Sequence, residues 1–216
     1  MTLGPLTLII GNKTYSSWSL RAWLGLVLSG LPFEEHLIPL DTPDFQAGIG
    51  DLSPSRTVPA LHTPDGVVWD SLAVLEWAAE RVPSLWPLDA VDRARARSVS
   101  AEMHSGFAAL RAELPMNLRR TPAPVSVSQA CRSDIDRVAA IWSACLEVSG
   151  GPWLFGAAPG IADAMFAPVA TRFRAYAVDM PDPPAGYVDT VYALPAFQAW
   201  EHAAQAEPWV IETEER

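Results

Sequence analysis

Residues 6–11 (Leu-Thr-Leu-Ile-Ile-Gly) form a short, almost continuous apolar run and read as a strand. From Ser17 the spacing changes: Leu20, Trp23, Leu24 and Val27 recur at helical intervals up to Ser29, and Gly30-Leu31-Pro32 stops the pattern. Residues 33–39 alternate enough to be a second strand. Further on, Ala60-Leu61 marks a third strand, Pro64-Asp65-Gly66 a turn, and Val67-Val68-Trp69 a fourth strand. Asp70-Ser71 then opens a helix over 72–80, since an acidic residue and a serine can cap its first turn. The predicted order is β-α-β, an intervening segment, then β-β-α, which makes a mixed sheet with helices on it.

Residues 82–90 carry Pro83 and Pro87 and read as a linker. Beyond them no segment is strand-like, and helical patterns run over 90–120, 128–149, 161–178 and 195–206. Gly150-Gly151-Pro152 and Asp182-Pro183-Pro184 are read as turns between helices. The expected architecture is an α/β thioredoxin-like N-terminal domain over 1–81 followed by an all-α C-terminal domain over 91–216. Within the third of these helices, Gly160 stands at the N-cap and cannot offer a side-chain oxygen, while Asp163 can still accept from the N-terminal backbone. Pro168 removes the bond to Ala164 and should bend that helix.

Composition narrows the function. The chain has 216 residues, half of them hydrophobic, which is ample for a packed core. Its net charge of −10, with Lys13 as the only lysine, argues against nucleic-acid binding. The apolar run at 6–10 is too short for a secretory core, and no stretch of about 18 apolar residues suggests a membrane span, so a cytoplasmic location is expected. Cys131 and Cys145 lie 14 residues apart, neither a redox pair nor half of a zinc site. The four histidines lack metal-ligand spacing, and no metal is expected. Most of the nine tryptophans are read as packing residues.

Two segments carry candidate chemistry. Val58-Pro59 precedes the third strand, where a cis bond is plausible, and Asp70-Ser71 opens a helix whose free N–H groups suit a small carboxylate. Together, Val58-Pro59-Ala60-Leu61 and Asp70-Ser71 resemble the glutathione-binding half of a cytosolic glutathione transferase. The resemblance covers nearly the whole chain. It implies that Val58 pairs its backbone with the cysteinyl part of glutathione and that Asp70 and Ser71 hold the γ-glutamyl end. It also implies a homodimer joining one subunit's α/β domain to the other's helical domain.

The second segment, Tyr15-Ser16-Ser17-Trp18-Ser19, lies between the first strand and first helix. Having no cysteine, it cannot exchange disulfides. Taken alone, its serines read as helix caps. The run Ser16-Ser17-Trp18-Ser19 is similar to the Ser-Ser-Cys-Ser of zeta-class transferases, and this resemblance implies that Ser16 is catalytic. Ser17 is expected to cap the helix and to contact glutathione. A serine that donates to a bound thiolate would stabilise it by about 1.5 to 3 kcal/mol, or about 1 to 2 pKa units.

Trp18 departs from that pattern by replacing cysteine, and Thr57 stands where many relatives place lysine or glutamine; Arg56 could compensate. Lys13 is ambiguous between site and surface. Glu102-Met103-His104-Ser105-Gly106-Phe107 lies on the helix facing the thiol across the domain cleft, so His104 and Phe107 are candidates to line an electrophile pocket as well as candidates for core. No Gly-x-Ser-x-Gly turn supports a serine hydrolase. The expected function is a glutathione transferase acting on a small electrophile, with glutathione as cosubstrate. The alternatives are a glutathione-dependent isomerase of maleylacetoacetate type and a non-catalytic, transferase-like binding subunit.

Overall fold

The computed structural model describes residues 5–215. Four short strands, β1 Thr7–Ile10, β2 Glu34–Leu37, β3 Ala60–Thr63 and β4 Gly66–Trp69, form one sheet in the order β2-β1-β3-β4. β1 and β2 run parallel, while β3 is antiparallel to both β1 and β4, so the sheet is mixed. Strand alternation divides β1 between two layers. Leu8 and Ile10 join the large core beneath α1 (Ser17–Ser29) and α3 (Ser71–Ala79), whereas Ile9 packs with Ala60, Ile38 and Ile49 beneath α2 (Pro43–Leu52). A Cβ on Gly25 would come within 1.9 Å of Leu75, so glycine is what allows α1 and α3 to lie this close.

The intervening segment proves to be α2. Thr42 caps it by accepting from the Phe45 N–H at 3.2 Å, and Pro43 sits in the first turn, where its missing N–H costs nothing. The short 3₁₀ turn Pro83–Leu85 then leads to the helical half: α4 Ala90–Ser105, α5 Ala108–Glu113, α6 Gln129–Ser149, α7 Ile161–Ala175, α8 Pro184–Ala193 and α9 Pro195–Gln205.

Two expectations are corrected here. The single helix over 90–120 is broken at Gly106-Phe107, where Phe107 takes a left-handed conformation (φ 60°), and a Cβ on Gly106 would meet the Glu102 carbonyl at 2.8 Å. Side chains from elsewhere stabilise the break: Arg111 donates to the Met103 and His104 carbonyls, and Asp134 of α6 accepts from the Leu110 N–H. Asp182-Pro183-Pro184 opens α8 instead of being only a turn, because Pro184 occupies a first-turn position.

α7 is buried along almost its whole length and lies against α1, α4 and α8. Pro168 sits inside it without ending it, and the Pro168 carbonyl accepts from Thr171 Oγ1 and Arg172 Nη1. At its start, Asp163 accepts from the Gly160 N–H at 2.8 Å, as expected, and also from the Leu154 N–H and the Tyr187 hydroxyl.

Candidate functional site

The loop leaving β1 enters α1 at Ser16, at the edge of a cleft of about 430 Å³ between the two halves. Ser16 to Trp18 line one side, Arg56, Thr57 and Val58 another, and Arg111, Met116, Arg172 and Glu214 the helical side. The Val58-Pro59 peptide is cis. Ser16, Ser17 and Val58 therefore meet in one cavity although about 40 residues separate them.

The helix cap is Ser16, not Ser17 as the sequence suggested. Ser16 Oγ accepts from the Ser19 N–H at 3.3 Å and lies 2.8 Å from Ser19 Oγ, to which it donates. Ser17 is the first residue inside the helix, where its oxygen points away from the cap position and accepts from Arg172 Nη2 at 3.4 Å. Capping uses a lone pair of Ser16, while stabilising a thiolate would use its proton. One oxygen can serve both, because the hydroxyl hydrogen is free to rotate from Ser19 toward a ligand. The helix N-terminus adds a partial positive charge at the same place.

Asp70 and Ser71 lie at the second helix start, α3. Asp70 is held at φ 77°, a strained value for a residue other than glycine, and from there its Oδ1 accepts from the Leu72 and Ala73 N–H groups. Its other oxygen meets His104 Nε2 at 3.2 Å across the domain boundary. The Ser71 hydroxyl is buried without a protein partner. His104 also packs edge-on against Trp18, with ring centroids 5.2 Å apart, so the structure places it between the two helix starts. Phe107 does not line the Ser16 cleft; its left-handed backbone turns it into the core. Lys13 also lies outside the cleft, its ammonium ion paired with Glu35 and set between the Trp23 and Trp200 rings.

Three arginines that sequence reading passed over surround Trp18 and the cleft. The guanidiniums of Arg21 and Arg111 lie 4.5 and 4.9 Å from the Trp18 ring centre, and Arg172 faces Ser17. Burial lowers the pKa of Arg21 and Arg111, and it pushes Arg172 down to about 10 with help from the like charge of Arg111. At about 10, Arg172 remains cationic near neutrality. Among the described residues no carboxylate stands at ion-pair distance from Arg111 or Arg172, and Arg111 Nε and Arg21 Nη1 are buried without partners. Trp18 thus offers a flat ring beside which two guanidiniums stand. The available sequence signal was an arginine at 172 within the apolar stretch 164–173, where a buried charge is unusual.

Comparison with known proteins identifies the family. Residues 15–81 match the family model of the glutathione S-transferase N-terminal domain, and residues 89–203 that of the glutathione S-transferase C-terminal domain. A maleylpyruvate isomerase from Ralstonia sp is 30% identical over 207 residues, spanning 89% of this chain and 98% of that protein. A maleylacetoacetate isomerase from Rattus norvegicus is 28% identical over 194 residues, spanning 85% and 87%. Among solved structures, the maleylacetoacetate isomerase of Anaeromyxobacter dehalogenans 2CP-1 with glutathione bound in its active site superposes with a TM-score of 0.66 at 28% identity, covering 94% of this chain and 97% of that one.

Proposed function

The chain belongs to the glutathione S-transferase family, and from that premise we propose that Ser16 donates its hydroxyl hydrogen to the sulfur of glutathione, its cosubstrate, and holds it as the nucleophilic thiolate. The observation that carries this reading is Ser16 itself: a hydroxyl at a helix N-terminus, its lone pair engaged by Ser19 N–H, opening on the same cleft as Val58. A free thiol of pKa about 8.5 is only a few per cent ionised at pH 7, and a charge-assisted hydrogen bond would lower that pKa by about 1 to 2 units. Asp70 and Ser71 hold the γ-glutamyl end; a ligand carboxylate would supply the partner that the Ser71 hydroxyl lacks within the protein. His104, bonded to Asp70, acts on this glutathione end more than on the electrophile. We also infer a homodimer, for which the exposed Trp69 on β4 and Val91 on α4 supply apolar surface on both halves of the subunit.

A second reading, glutathione-dependent cis–trans isomerisation of a small unsaturated dicarboxylic acid, is favoured by Arg111 and Arg172. Their paired positive charge without an ion-paired carboxylate suits an anionic substrate. The thiolate would add to one carbon of a double bond conjugated to a carbonyl, moving the electron pair onto the carbonyl oxygen. Rotation about the resulting single bond and expulsion of the thiolate would then restore the double bond and free glutathione. Names of the relatives point the same way.

Thiolate ultraviolet absorbance of bound glutathione against pH tests the Ser16 assignment. Ser16→Ala should raise the bound-thiol pKa by about 1 to 2 units and, because the cap is lost with it, cost about 0.5 to 2 kcal/mol of stability. Ser17→Ala should do neither. An unchanged pKa in Ser16→Ala would refute the mechanism. Turnover of a cis dicarboxylate against an aryl halide separates isomerase from transferase, and binding of glutathione without turnover of either would leave a binding subunit.

A further inference from the structure

We propose that Glu207 is a positioning residue for Ser16, its carboxylate fixing the Lys13-Thr14 turn from which the Ser16 hydroxyl is presented. The inference rests on Ser16 being the thiol donor. After β1 ends at Ile10, the next residues belong to neither sheet nor helix, so their backbone donors need partners from elsewhere. Glu207, just past the end of α9 and only 9% exposed, supplies them. Its Oε1 accepts from the Lys13 N–H at 2.6 Å and its Oε2 from the Thr14 N–H at 3.0 Å. The Thr14 hydroxyl lies between Oε2 (2.9 Å) and the Ala204 carbonyl (2.8 Å), and Trp200 Nε1–H donates to the Lys13 carbonyl at 3.0 Å.

This grip reaches Ser16 through the backbone. The Asn12 carbonyl accepts from both the Tyr15 and the Ser16 N–H, at 3.3 and 2.8 Å, so the place of Ser16 follows the shape of the turn that Glu207 holds. Arg119 closes the arrangement from the other side, donating to the Glu207 and Trp209 carbonyls and to the Tyr15 hydroxyl. A hydrogen bond to sulfur needs its donor placed within a fraction of an ångström, and a carboxylate accepting two adjacent backbone N–H groups and a hydroxyl supplies that rigidity from outside the site. Glutamine keeps the size of Glu207 but replaces one acceptor oxygen by an NH₂ that must face an N–H donor.

The test is the pKa of enzyme-bound glutathione in wild type, Glu207→Gln and Thr14→Val, with Asp163→Asn as a control that destabilises the fold far from this loop. Glu207→Gln should raise the thiol pKa by about half to one unit, with a fall of about 3- to 10-fold in kcat at neutral pH and glutathione KM within about twofold. Thr14→Val should move both in the same direction by less, and Asp163→Asn should leave the thiol pKa unchanged. If Glu207→Gln lowers only thermal stability and the thiol titrates as in wild type, the proposal is overturned. Should Glu207→Gln fail to fold, Thr14→Val decides in the same way. If Ser16→Ala itself leaves the thiol pKa alone, the Ser16 reading fails and takes this inference with it; a Ser16 effect without a Glu207 effect overturns only the inference.

Discussion

The two ends of α7 hold opposite charges at similar depth, and they are treated differently. Asp163, in the first turn, is buried with three donors on its carboxylate, from Leu154, Gly160 and Tyr187. Arg172, in the last turn, is equally buried, but it gives its bonds to the Leu114 and Pro168 carbonyls and the Ser17 hydroxyl while facing the like charge of Arg111. The helix dipole favours both placements, an anion at the N-terminus and a cation at the C-terminus, so it does not explain the contrast. What separates them is the company each keeps, since each makes three hydrogen bonds to uncharged groups and neither makes an ion pair. Hydrogen bonds within the protein complete the aspartate centre, which ties α7 to its neighbours. The arginine centre instead faces the like charge of Arg111, with the Glu214 carboxylate of the same cleft offsetting part of it, and it lies open to the cleft beside the serine loop.

Removing the completed centre should have the largest effect. Asp163→Ala leaves two backbone N–H groups and a tyrosine hydroxyl without their acceptor at about 1 to 3 kcal/mol each, partly offset because a buried carboxylate is also removed. A net loss of about 3 kcal/mol in urea unfolding is expected, with kcat of the remaining folded enzyme unchanged. A loss below about 1 kcal/mol would erase the contrast between the two ends.

Arg172→Gln should behave in the opposite way. Relief of the repulsion from Arg111 offsets part of the lost hydrogen bonding, so stability should change by about 1 kcal/mol or less. Meanwhile kcat/KM for a cis dicarboxylate should fall about 10- to 100-fold, with an uncharged aryl electrophile much less affected. Equal losses on both substrates would show that Arg172 serves folding or glutathione instead.

The acid end also carries a pH signature. Burial raises the Asp163 pKa to about 6, against an ordinary value of 3.8. Between about pH 4 and 6 the folded chain therefore retains a proton that the unfolded chain has released, and this contribution to stability declines as pH rises through that window, by at most about 1.4 kcal/mol per unit. Comparing urea midpoints of wild type and Asp163→Asn across the window isolates it; parallel profiles would mean the carboxyl titrates normally. The smallest effect concerns Trp18. Trp18→Cys removes two guanidinium contacts worth about 0.5 to 1 kcal/mol each, which denaturant unfolding should register as a loss of about 1 to 2 kcal/mol.

Much of this was legible in the chain. The apolar run at 6–11, the alternation at 33–39 and the Pro64-Asp65-Gly66 turn marked the sheet, and helical spacing from Leu20 to Val27 marked α1, because strand and helix leave their signs directly in side-chain order. Pro184 misled in one direction: proline breaks a helix interior but starts a helix well, and sequence alone does not say which position it holds. Gly106 misled in the other, since an apolar pattern that continues across 90–120 hides a backbone break whose stabilising bonds come from Arg111 and Asp134. Ser16 and Ser17 were identified as a pair, but their capping roles were exchanged, because the helix start is set by which oxygen the Ser19 N–H meets.

The sequence by itself determined the order of the four strands with α1 and α3 and the helical character of the second half, which local spacing and turn chemistry encode, while resemblance to the family pointed to Ser16, Val58 and Asp70-Ser71. Only the tertiary structure decided the partnership of Glu207 with Lys13 and Thr14, the contact of His104 with Asp70, and the gathering of Arg21, Arg111 and Arg172 around Trp18 and Ser17. The physical reason is that these are side chains from distant elements satisfying, or failing to satisfy, one another's charge and hydrogen bonds. Their partners are chosen by helix packing across the cleft, and no short-range pattern records that choice.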